Sequence, residues 1–72
     1  MEASITIIKG AKFNYLVATL LDKPEEQYVC KVERVVQAIA ENNETVNMPM
    51  LADPSVHIVV KVSQLKPIIE RI

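Results

Sequence analysis

The sequence predicts an α+β fold: a small sheet of two or three strands with helices packed on one face. Three patterns carry that expectation. Ser4–Ile8 and Val56–Val62 are runs rich in β-branched residues. Pro24–Asn42 spaces Tyr28, Val32, Val35 and Ile39 at helical intervals, with Val29 and Val36 widening the stripe. Leu65, Ile68, Ile69 and Ile72 repeat that spacing as a short C-terminal helix with Pro67 in its first turn. Helices that cover one face of a modest sheet satisfy all three patterns.

Taken in order, Ser4–Ile8 is the first strand, broken at Lys9-Gly10-Ala11-Lys12. The segment Lys12–Leu21 supports two readings. Phe13, Leu16, Val17, Leu20 and Leu21 match an amphipathic helix, the reading preferred because Thr19 interrupts the alternative. That alternative is a strand with Phe13, Tyr15, Val17 and Leu21 on one face, reached through a hairpin with Gly10 at the first central position of a type II′ turn. The order is therefore β-α-α-β-α, or β-β-α-β-α. Asp22-Lys23-Pro24-Glu25-Glu26 is read as the start of the long helix: proline suits the first turn and two glutamates complement the dipole. Asn42-Asn43 ends it, since asparagine tolerates left-handed backbone. Thr45–Ser55 is read as a loop punctuated by Pro49 and Pro54. In Val56–Val62, Val56, Ile58, Val60 and Val62 share one face while His57, Val59 and Lys61 share the other. No internal repeat, low-complexity tract or linker is read.

A chain of 72 residues makes one small domain, 1–72, near the lower limit for independent stability. Cys30 is the sole cysteine and His57 the sole histidine. A disulfide within the chain and an ordinary four-ligand zinc site are thereby excluded. Oligomerisation is the compensation left, and a homodimer paired through Ser4–Ile8 or Val56–Val62 is expected. Eight basic and nine acidic residues give a formal charge of −1, so no overall field draws the chain to nucleic acid or anionic lipid. The opening residues, with Glu2 and a short apolar run, read as neither a secretory signal nor a membrane span, and a cytoplasmic location is expected.

Chemistry-bearing patterns are sparse. Cys30 falls inside the expected long helix and is read as a small apolar side chain. His57 lies on the mixed strand face, with nothing to bring it to Cys30. Glu25-Glu26 belongs to a helix start, and Asp53-Pro54 to a turn. Glycine-built phosphate loops are missing from the sequence. An enzyme is not expected, and neither a cofactor nor a metal. Two segments stand out. Met48, Pro49, Met50 and Leu51 form an apolar run on a connecting segment, either an adaptable protein-contact surface or a lid folded over the long helix. Lys9 and Lys12 flank a turn that, before a helix, could receive a phosphate; otherwise they are solvated lysines discouraging edge aggregation.

The stretch Ile7-Ile8-Lys9-Gly10-Ala11-Lys12-Phe13-Asn14-Tyr15-Leu16-Val17-Ala18 resembles the opening of Alba-type chromatin proteins. The resemblance implies a strand, a lysine-bearing turn and a helix in a dimeric nucleic-acid binder, with Lys9 and Lys12 contacting the backbone. The rest of the chain departs from that family: the charge is acidic, no long basic hairpin follows, and a helix stands where the family ends in strands. The functional expectation is a small non-enzymatic protein-binding or regulatory module, homodimeric, with an unidentified protein partner. Nucleic-acid binding through Lys9 and Lys12 is the alternative.

Overall fold

The computed structural model describes residues 3–71; Glu2 and Ile72, used in the terminal readings above, lie outside them. Along the chain run β1 (Ala3–Lys9), β2 (Asn14–Leu20), β3 (Gln27–Lys31), α1 (Val32–Ala40), β4 (Thr45–Pro49), β5 (His57–Lys61) and α2 (Val62–Ile69). Strands β1-β2-β3 form one antiparallel sheet and β4-β5 a second. The class is α+β, as expected. Five strands are present among the described residues, and three of the element assignments change.

Within Lys12–Leu21, Asn14–Leu20 is strand, the alternative reading, and not helix. As the middle strand of its sheet, β2 turns Leu16, Ala18 and Leu20 into the core and buries Val17 on the other face between the flanking strands. The hairpin differs from the expected one by a residue: Gly10 N–H donates to the Phe13 carbonyl at 2.9 Å, leaving Ala11 and Lys12 as the central pair. Gly10 has no positive φ; glycine is required because a Cβ there would sit 2.6 Å from the Phe13 oxygen.

Gln27–Lys31 is also strand. The long helix begins only at Val32, and Pro24 lies in the β2–β3 turn. Tyr28 and Cys30 point into the core while Gln27 and Lys31 are exposed, a period of two that the helical template absorbed. The helix end is where the asparagines place it. Asn42 adopts φ 58°. Its N–H donates to the Ile39 carbonyl at 3.1 Å and that of Asn43 to Ala38 at 2.9 Å, closing a Schellman motif. Thr45–Pro49, read as loop, is strand β4. α2 starts at Val62 rather than near Leu65, with Pro67 in its interior.

Contrary to the sequence reading, the chain contains an internal repeat. Each β2–β3 partner pair recurs thirty residues later in β4–β5: Tyr15/Lys31 becomes Thr45/Lys61, and Ala18/Tyr28 becomes Met48/Ile58. The turns repeat as well. Leu20 N–H donates to Glu26 O and Glu26 N–H to Lys23 O; Met50 N–H donates to Val56 O and Val56 N–H to Asp53 O. Each hairpin passes directly into a helix through a lysine with extended backbone, Lys31 (φ −69°, ψ 141°) and Lys61 (φ −70°, ψ 132°). The sequence echo is thin but in register: Leu21/Leu51, Pro24/Pro54, Val29/Val59, Lys31/Lys61, Val32/Val62 and Ile39/Ile69.

The two ββα units share one core. Leu16, Met48, Leu65 and Val35 are its fully buried large side chains, drawn from β2, β4 and both helices. Each such burial is worth about 1.5–3 kcal/mol relative to exposure. Among the described residues no polar or charged side chain is buried, so apolar packing dominates the interior. At one end the sheets touch, through a single bridge between Tyr28 and Met50 and a 2.8 Å bond from Leu51 N–H to Gln27 O.

Candidate functional site

Met48 is 0% exposed and belongs to the core. Pro49 and Met50 are half-buried, Met50 packing against the core beside Tyr28. Leu51 alone of that run is open to solvent, at 66%. The β4 assignment explains the difference: alternate residues of a strand face opposite sides, so the two methionines point inward together. Lys9 and Lys12 are both exposed. The turn between them leads into β2, so no helix N-terminus stands there to meet a phosphate. A third lysine, Lys31, places its Nζ 3.9 Å from the centroid of the Phe13 ring, a cation–π contact at the same end of the sheet.

Cys30 is buried opposite Leu16 in the first sheet, whereas His57 is exposed opposite Pro49 in the second. Burial pushes the Cys30 thiol above its ordinary value, with the nearby Arg34 charge opposing, so the group favours the neutral thiol. Tyr28 donates its hydroxyl to Glu26 at 3.0 Å. Burial and that acceptor raise its phenol. Asp53 is held below the usual carboxylate range by Ser55, whose hydroxyl donates at 2.6 Å and whose N–H donates at 3.2 Å. Tyr28 and Cys30 share the inner face of β3, whereas His57 lies in β5 and Asp53 in the turn before it. Among the described residues no three His, Cys, Asp or Glu side chains gather to hold a metal ion, and no helix is long and apolar enough to cross a membrane.

What the structure does place together are strand edges and the clefts beside them. The bonds from Met50 to Val56 and from Val62 to Glu44 fix the paired positions of the second hairpin. Backbone groups of Thr45, Asn47 and Pro49 therefore face away from β5, and those of His57, Val59 and Lys61 face away from β4. Beside the free edge of β5 lies a crevice of about 570 Å³, walled by Ala3 and Ile5 of β1, Val59 and Val60 of β5, and Gln64 and Ile68 of α2. Its rim carries Leu21 and Val59, 60% and 56% exposed. Beside the free edge of β4 lies a groove of about 720 Å³, lined by Val29 and Lys31 of β3, Arg34 and Ala38 of α1, and Thr45 and Asn47 of β4. Sequence reasoning missed β3 and β4 as strands, and so missed this groove. The signal that finds it is the thirty-residue recurrence of Lys-Val at Lys31-Val32 and Lys61-Val62 behind Pro24 and Pro54.

No protein-family model matches the chain, and no curated protein or solved structure matches it.

Proposed function

We propose that this chain is a small non-enzymatic, homodimeric binding or regulatory module of the cytoplasm that acts through protein contacts. The carrying observation is the β5 margin, where unpaired backbone at His57, Val59 and Lys61 borders an aliphatic crevice rimmed by Leu21 and Val59. An unpaired edge is a template for another strand, and an adjoining apolar surface adds the area that backbone bonds alone lack. Antiparallel self-pairing centred on Val59 sets His57 of one copy against Lys61 of the other. The free, buried Cys30 supports a reducing compartment. Leu51, the exposed remnant of the Met48–Leu51 run, remains available for a further protein contact on the opposite side of β4.

Sedimentation equilibrium tests this reading. The expected mass is twice 8.1 kDa. Val59→Lys sets like charges face to face at the centre of the pairing and should return the chain to monomer without unfolding it. A natural chain that remains monomeric at millimolar concentration overturns the dimer.

A further inference from the structure

We infer that the outer edge of β4 accepts an extended strand from another polypeptide, seated antiparallel in the groove between β4, β3 and α1 as β1 is seated on β2. This deepens the protein-contact reading by naming the partner's chemistry, and it uses a different surface from the dimer margin.

The internal repeat carries the inference. The groove and the crevice are the same place in the two units: Val29, Cys30, Arg34 and Ala38 line one, and their thirty-residue counterparts Val59, Val60, Gln64 and Ile68 line the other. The crevice has an added wall, because β1 lies along the outer edge of β2, pairing Ser4 with Thr19, Thr6 with Val17 and Ile8 with Tyr15. The counterparts of those β2 positions are Pro49, Asn47 and Thr45; the Tyr28–Met50 bridge to β3 takes up the Pro49 end, and among the described residues no strand pairs with the outer edge at Asn47 and Thr45. The first unit thus displays how this edge is filled: by a strand running antiparallel, with Ile5 and Ile7 turned inward opposite Ala18 and Leu16.

The same register specifies the occupant of the second unit. It is an extended segment of about five residues whose alternate side chains are aliphatic, set opposite Met48 and Val46, with small polar residues between them. Thr45 and Asn47 each supply a donor and an acceptor. Pro49 lacks an N–H and lies at the end where the Tyr28–Met50 bridge closes the groove, so the partner's bonds fall on Thr45 and Asn47. Lys31, Glu33, Arg34 and Glu41 around the opening carry both signs of charge, so the partner's flanks need no strong charge of their own.

The probe is a synthetic peptide with the sequence of Ala3–Gly10, the one strand known to fit the equivalent edge, added to the full chain. Amide hydrogen exchange followed by NMR should show Thr45 and Asn47 slowed at least about tenfold at saturation, with one peptide bound per chain. Asn47→Pro removes one of the two edge donors and should weaken peptide binding up to about tenfold. The exchange result uses the natural chain and stands even where N47P unfolds. Unchanged exchange at both amides in millimolar peptide overturns the inference. So does slowing confined to β1 and β2, which signals replacement of the chain's own β1. Slowing that grows with protein concentration in the absence of peptide makes a second copy the occupant and equally overturns it. Dimerisation through β5 leaves both amides unprotected, so the two readings fail separately.

Discussion

The β2–β3–α1 and β4–β5–α2 units are built to one plan and packed to different ends. In the first, β2 is flanked on both sides, and its central inward residue is Ala18, set between Ile5 of β1 and Tyr28 of β3. In the second, β4 has a partner on one side only, and the same position holds Met48 opposite Ile58. Where a neighbouring strand supplies bulk, a methyl group suffices. Where it does not, a long adaptable side chain fills the space itself. β1 also accounts for the unequal contacts between units. It occupies the β2 edge on which β5 could otherwise lean, whereas β4 is free to touch β3 at Tyr28 and Met50. An appended strand has converted two similar units into an asymmetric pair.

That comparison breaks most decisively in the core. Val35 and Leu65 are counterparts, both fully buried, one in each helix. Leu65→Ala should cost about 2–5 kcal/mol, and Val35→Ala roughly half of that because fewer atoms are lost. Both losses should appear as a single shift of one cooperative urea transition. If one hairpin retains amide protection after the other has melted, the units do not share a core.

A smaller effect isolates β1. Gly10→Ala drives a Cβ against the Phe13 oxygen, and the strained turn should cost about 1–3 kcal/mol. Exchange of β1 amides should accelerate while β4 and β5 remain as protected as before. Equal acceleration throughout would mean that β1 is integral to both units rather than an addition to the first.

The mildest difference lies in the turns. Asp53 accepts two bonds from Ser55, and its counterpart Lys23 instead meets Glu26 at 3.8 Å on the surface. The Asp53 carboxyl is depressed in the folded chain. Its contribution is therefore present above the unfolded carboxylate value and is lost as pH falls below about 4 and through the folded value. Protection of the Met50 and Val56 amides, taken relative to the intrinsic exchange rate at each pH, should fall across that window. Asp53→Asn should flatten this response and leave exchange at Leu20 and Glu26 unaltered; an unchanged profile would show that Ser55 does not hold the turn.

The class of fold was legible because Val56–Val62 and Val32–Ile39 have clean periods of two and of about 3.6. The Asn42-Asn43 stop was legible for a local reason, the left-handed backbone that asparagine accepts. β3 was lost because Tyr28 stands four residues before Val32, so a strand face and a helix stripe coincide where strand runs into helix without a loop. Pro24-Glu25-Glu26 deepened the error. It has the composition of a helix start, and only its alignment with Asp53-Pro54-Ser55, a recognisable turn, reveals its role. β4 was hidden by Pro49, which disfavours a central strand but fits an edge. Lys9 and Lys12 lie beside a turn, as read, and the element after it is set by pairing with β1 and β3 on both edges of β2 and by core packing of Leu16, Ala18 and Leu20. The Met48–Leu51 run illustrates the limit most sharply: composition identified adaptable side chains, and only the strand register decided that two of them face inward.

The lysine junctions have one more consequence. Because β3 and β5 become helices at a single peptide link, the rotational setting of each helix is slaved to the pleat of the strand before it. One residue inserted between Lys31 and Val32 would spin α1 by about 100° and carry Val35 and Ala38 off the interior. Length at these two links is thus under tighter constraint than chemistry, and natural variation should tolerate exchange of the lysine far more readily than a shift of frame.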